Sequence, residues 1–243
     1  MADTKKSIVT AQGWDVVTAL GIAALIVLMF VMVMHHPVAS HDEAGGFMAS
    51  IAKQASTNRW THGTLAVAMT VMSTFMLGFA CRLGLRRPHV LLGAVATGLA
   101  LVLICLSVLL DGFVASALAE RCVAVGGACT SEAQPLLRFG GLQIEFMTRA
   151  GLLALASATA LWAIDLAFRR DRVLPASMMG LASAAVQFGI LLFNGERLNP
   201  QNLALIVAAQ AIWYVAVGFV IYLQQGPYQH VATERPAEAL SLR

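Results

Sequence analysis

The sequence predicts an all-α integral membrane protein, a bundle of six transmembrane helices, and three observations carry that reading. Hydrophobic residues make up 58% of the 243-residue chain and charged residues 12%, where a soluble domain carries about a quarter charged residues. Mean hydropathy is +0.75. The apolar residues also gather into six runs, each near the roughly 20 helical residues needed to cross a hydrocarbon core. The runs are continuous stretches rich in Ala, Leu, Val and Gly, unlike the short alternating segments of a β-barrel, so they read as helices. The same figures exclude a cytosolic globular enzyme and a disordered chain. A net charge of +3 with no basic block argues against a nucleic-acid partner and leaves the lipid bilayer as the main one.

The elements follow in order along a single transmembrane domain, 1–243. The first span covers 14–34. Pro37-Val38-Ala39-Ser40 loosely resembles a signal-peptide cleavage site. An apolar run of about 20 residues exceeds the 7–15 of a signal-peptide core, so the segment reads as an anchor. An outer loop, 37–60, follows. Within it Phe47 and Ile51 share a helical face, which predicts a short interfacial helix lying on the membrane. The second and third spans, 61–79 and 90–110, are joined by a turn carrying Arg82, Arg86 and Arg87. A second outer loop, 119–142, holds Cys122 and Cys129. The fourth and fifth spans, 146–164 and 174–193, flank a turn with Arg169, Arg170 and Arg172. The sixth, 203–223, leads into a tail, 225–243. Trp14, Trp60 and Tyr222 lie near span ends and read as interface anchors.

Charge sets the orientation. Ten basic residues fall on the side of the two short turns and both termini and six on the other, so both termini are predicted to be cytoplasmic. The expected location is a bacterial cytoplasmic (inner) membrane. Its outer side is oxidising, and Gly126-Gly127 allow a tight reversal, so Cys122 and Cys129 are expected to form a disulfide, with a two-thiolate metal site as the alternative. Cys81 and Cys105 lie in spans and read as packing residues.

An internal repeat is also expected. An offset of 83 aligns Arg86-Arg87 with Arg169-Arg170, Val90-Leu91 with Val173-Leu174, and Asp111-Gly112 with Asn194-Gly195, all without a gap. Eight of 53 aligned positions are identical, so the case rests on the matched turn and terminus rather than on identity. A duplicated two-helix hairpin, spans two and three against four and five, would relate its copies by an axis along the membrane normal.

The duplication bears on chemistry, because His62 falls on Glu145 and Asp111 on Asn194, all at outer helix ends. With His35 and His36 they make a His/carboxylate set of the kind that holds Cu, Zn, Fe or Mn. No His-Glu-x-x-His motif is present, and adjacent His35 and His36 point about 100° apart on a helix, so one of them faces the bundle. The bland alternative is that polar residues collect where helices meet water. A haem held by two histidines is less favoured, because no histidine lies deep in a span. Glu145 and Arg149 are four apart in the order that favours a helical ion pair, which competes with ligation. Asp111 has no such partner in its own helix.

Gln187 and Gln210 lie nearer mid-span. Interhelical hydrogen bonding is their ordinary role, and a substrate or quinone contact is the functional one. The methionines, among them Met29, Met69, Met72 and Met76, read as packing rather than a copper path. Three functions follow: a metal-binding redox or oxygenase subunit, a non-catalytic accessory subunit packing against other membrane subunits of a larger complex, or a small-solute transporter. Whether the chain is an enzyme stays open.

Overall fold

The computed structural model describes residues 2–35, 46–169, 173–193 and 198–223, with most side chains placed from residue 16 onward. The described elements are helices: α1 (Ala2–Met34), α2 (Gly46–Leu83), α3 (Pro88–Leu109), a π-helical turn (Leu110–Ala115), α4 (Ser116–Val125), α5 (Ala128–Ala167), α6 (Leu174–Phe193) and α7 (Pro200–Leu223). Six helical stretches are long and apolar enough to cross a membrane. Their outer faces suit that solvent. On α3, Leu92, Val95, Leu99, Val102 and Leu106 form a half-exposed apolar stripe that a soluble protein would bury.

Three stretches run well past the spans expected from hydropathy. α2 has 38 residues, Pro88–Val125 has 38 and α5 has 40. At 1.5 Å per residue each is about 57–60 Å long, roughly twice a hydrocarbon core. The extra length lies at one end, where α4 turns into α5. This is the capped end of the bundle; the opposite, basic end carries Arg82, Arg86, Arg87 and Arg169.

Two expectations change here. The interfacial helix expected within 37–60 is not a separate element, because residues 46–60 are helical and continue unbroken into the second span. Residues 37–45 of that loop, like the tail 225–243, lie outside the described residues. The expected outer loop 119–142 is a helical hairpin. α4 ends at Val125, and the chain reverses over Gly126 (φ 72°) and Gly127 (φ 54°), backbone angles that favour glycine, before α5 begins. A small core holds these extensions together: Met48 of α2, Ala119 and Cys122 of α4 and Ala133 of α5, with Ile51 and Leu137 against them. Arg59 on α2 and Glu120 on α4 add an ion pair beside it.

The long helices close into a ring in the order α1, α2, α3, α5, α6, α7, with α7 returning to α1. At the basic end the ring is filled. Phe79, Trp162 and Trp213 are buried there, Phe79 meeting the two indoles edge to face at 6.2 and 6.3 Å between centroids. Gly93 makes room for one of them, since a Cβ on it would lie 2.7 Å from Trp162 Cδ1. Trp162 Nε1 donates to the Val90 carbonyl at 3.2 Å. Asp165, buried at the end of α5, accepts from Arg169 Nε at 2.8 Å and from Arg87 Nη1 at 3.4 Å. Arg169 also donates to the Leu83 carbonyl, so one carboxylate ties the α2–α3 turn to the end of α5.

Candidate functional site

The site begins where a helix changes pitch. Asp111 and Gly112 lie in the π-helical turn that separates α3 from α4, a widened form that recurs at functional sites. Gly112 lets α2 approach this turn, since a Cβ on it would lie 2.7 Å from His62 Cγ. One helical turn before His62, Asn58 Nδ2 donates to the Asp111 carbonyl at 3.1 Å and to Ser116 Oγ at 3.0 Å. α2 is thereby pinned to both flanks of the turn.

His62 is 3% exposed. Its Nδ1 lies 2.8 Å from the Asn58 carbonyl and its Nε2 lies 3.0 Å from Asp111 Oδ2. A carbonyl only accepts, so Nδ1 carries a proton. The contact with Asp111 is then a hydrogen bond only when one further proton sits between the imidazole and the carboxylate.

His62 and Asp111 line a chamber of about 380 Å³ between α1, α2, α3, α5 and α7. Its walls are apolar: Met29 and Val33, Leu65 and Met69, Ile104 and Val108, Leu152 and Leu155, Ile206 and Val207. Lining positions on α5 run from Gly141 to Leu155, about 20 Å of helix, so the space is slender. Polar residues lie at two levels. His62, Asp111, Glu145, Ser107 and Thr148 are toward the capped end; Gln210 and Tyr214 are deeper. Ser107 Oγ donates to the Ile144 carbonyl at 3.2 Å and lies 2.6 Å from Thr148 Oγ1.

His62, Asp111 and Glu145, expected as metal ligands, all line this chamber. His35 does not join them; it is exposed, with Nδ1 2.9 Å from the Val31 carbonyl of its own helix. His36 lies outside the described residues. Glu145 forms the expected ion pair with Arg149 at 3.6 Å. Among the described residues no three His, Cys, Asp or Glu side chains converge as a group that could hold a metal. Both His62 ring nitrogens are engaged within the protein, one by the Asn58 carbonyl and one by Asp111. His62 is the one histidine among the described lining residues.

Gln187 and Gln210 take their ordinary role. Ser183 Oγ donates to the Ala209 carbonyl at 2.6 Å, which leaves it to accept from Gln187 Nε2 at 3.0 Å. Gln187 Nε2 also donates to Gln210 Oε1 at 2.8 Å, and Thr159 Oγ1 donates to the same oxygen at 3.3 Å. Of these two candidate substrate contacts, Gln210 lines the chamber while Gln187 is fully buried between helices. Cys122 and Cys129 are bridged across the glycine turn with Cα atoms 5.2 Å apart.

Asn58, Ser107 and Thr148 were not singled out from sequence, and Gly112 only as a matched position of the repeat. Their signals were present but faint: an Asn four residues before His62, a Gly directly after the isolated Asp111, and a Thr three residues after Glu145. No protein-family model, curated protein or solved structure matches the chain.

Proposed function

We propose that this chain is a multi-pass protein of a bacterial cytoplasmic membrane that takes a lipophilic small molecule from the bilayer into the chamber and carries it, as a small-solute transporter does. The chamber is the observation that carries the reading. A cavity of about 380 Å³ falls within the roughly 300–1,000 Å³ of small-molecule sites. Apolar walls with polar groups gathered toward one end suit a molecule with an apolar body and one polar end. Arginines at the basic end support a cytoplasmic basic face with both termini on that side, and the disulfide supports an oxidising compartment at the capped end.

The hairpins α2–α3 and α5–α6 are read as copies of one unit, and the chamber is supported by that reading. Shifted by 83, the bounds of α2 become 129–166, against Ala128–Ala167 for α5. Buried Met72, Met76, Phe79, Ala80 and Leu83 fall on buried Leu155, Thr159, Trp162, Ala163 and Leu166. Lining residues His62, Leu65 and Met69 fall on lining residues Glu145, Thr148 and Leu152. Two walls of the chamber are thus equivalent positions of the two units, as in transporters built from parallel repeats.

The test is native mass spectrometry of the full chain moved from its membrane into nanodiscs without delipidation. The wild type is expected to retain a small molecule that Ala211→Trp, which fills the chamber from α7, loses. A wild type that carries nothing, or retention by the variant, overturns the reading.

A further inference from the structure

We infer that the chamber binds a lipophilic carbonyl compound whose carbonyl oxygen is received at the deep level by Gln210. This rests on the chamber being the binding site. Gln210 is 6% exposed, and its Nε2 has no hydrogen-bond partner among the described residues. A buried donor in that state costs free energy until an acceptor reaches it. The amide's orientation is fixed by its neighbours. Ser183 Oγ lies 2.6 Å from the Ala209 carbonyl, which has no proton to give, so the serine proton is spent there. The Gln187 atom 3.0 Å from that Oγ is therefore Nε2, and the Gln210 atom 2.8 Å beyond it is Oε1. Turning Gln210 over would set N–H against N–H. Turning both amides would set Gln187 Oε1 against a serine oxygen with no proton left. Oε1 thus faces Gln187 and Thr159, neither of which lines the chamber. Nε2 is the arm left on the chamber side.

Tyr214 also lines the chamber, with its hydroxyl beside Gln210. Should one N–H of Nε2 close onto the phenol oxygen, the second N–H and the phenol O–H still seek an acceptor. A carbonyl oxygen meets that need with its lone pairs and brings no proton of its own. A hydroxyl would add a donor where acceptors are already short. A carboxylate or an ammonium would carry charge to a level one helical turn from Ile206 and Val207, at a high desolvation cost. Toward the capped end His62 meets Asp111, Glu145 meets Arg149 and Ser107 meets Thr148. That level mixes donors and acceptors and imposes no single polarity on a ligand. The selecting atom is the deep one.

The test uses three probes on one carbon skeleton, undecanone, undecanol and undecane, with the oxygen on the second carbon. Each is titrated onto the full chain in nanodiscs, with empty nanodiscs subtracted and affinities referred to the probe concentration in the lipid. Undecanone is expected to bind saturably, about tenfold more tightly than undecane, with undecanol between them. Gln210→Met keeps the side-chain length and removes the donor, so it should erase the tenfold preference while shifting undecane less than about twofold. Bound undecanone labelled with carbon-13 at the carbonyl should also stretch at lower frequency in the wild type than in Gln210→Met. Ala211→Trp should abolish binding of all three probes. Undecane or undecanol matching undecanone in the wild type, a ranking that needs no variant, overturns the carbonyl and leaves the chamber standing. So does a ketone preference that survives Gln210→Met. Failure of all three to bind saturably removes the chamber reading itself.

Discussion

Phe79 of α2 and Trp162 of α5 meet edge to face, their ring centroids 6.2 Å apart and their planes at 85°. They are 83 positions apart, the same offset that aligns the two arginine turns. The arrangement sets the positive edge of one ring on the negative face of the other, the geometry aromatic pairs favour. It plugs the basic end of the ring and leaves the open volume toward the capped end.

Removing that plug should be costly. Trp162→Ala deletes a side chain that is 1% exposed and should destabilise by about 3–5 kcal/mol. Leu99→Ala on the outer stripe of α3 should change stability by less than about 0.5 kcal/mol, as surface substitutions do. Thermal unfolding in one detergent compares them, and equal losses would show that the basic end is not packed as described.

Gly112→Ala should destabilise by about 1–3 kcal/mol, because its Cβ must displace the His62 ring or push α2 from the π-helical turn. Gly98→Ala on α3, where a Cβ meets nothing within 4 Å, should be neutral or stabilise by up to about 1 kcal/mol through helix propensity. The same unfolding assay applies. A neutral Gly112→Ala would place the turn farther from α2 than described.

Asp111→Asn should keep the tie to His62, because an amide N–H can donate to a neutral Nε2 without the extra proton that the carboxylate contact needs. Asp111→Leu has no such donor and should lose about 1.5–3 kcal/mol, the usual range for a hydrogen bond to a charged group. Unfolding of both variants checks this; an Asn variant as damaged as the Leu variant would argue against the pairing.

Cys122 and Cys129 should resist alkylation in the intact protein until a reductant is added. Reduction opens a short loop, with the cysteines separated by seven positions, and should cost about 2–3 kcal/mol on the chain-entropy estimate. Cys81 and Cys105 are free thiols, so the assay is read as two added labels on reduction, by mass. Labelling of all four without reductant would remove the disulfide.

Orientation is checked by single cysteines introduced in a background where the native ones are replaced. Positions after Gln225 should react only from the cytoplasmic side, and a cysteine at Val125, in the capping hairpin, only from outside. A tail that reacts from outside would invert the topology.

The helical class and the number of helices long and apolar enough to cross a membrane were legible because transfer into a bilayer is additive along the chain. Each apolar run from 14–34 to 203–223 announces itself residue by residue, with no need to know its neighbours. The Glu145–Arg149 pair and the cysteine bridge were legible for the same reason, since their partners are close in sequence. The extensions of α2 and α5 were hidden. Lys53, Arg59 and Gln143 lower local hydropathy, while Pro135, Gly140 and Gly141 read as breaks. Those segments stay helical because Met48, Ala119, Cys122 and Ala133 bury one another across three helices.

By itself the sequence determined how many helices could cross a membrane, and singled out His62, Asp111 and Glu145 as polar residues near helix ends. Tertiary structure alone decided what those residues do together. It engaged both nitrogens of His62, left His35 facing its own helix, and opened a slender apolar chamber beneath them. The physical reason is range: hydropathy and helix periodicity are local properties of the chain. A cavity and a hydrogen bond between residues 49 apart in sequence exist only once helices pack, here through a glycine that lets His62 reach the turn bearing Asp111.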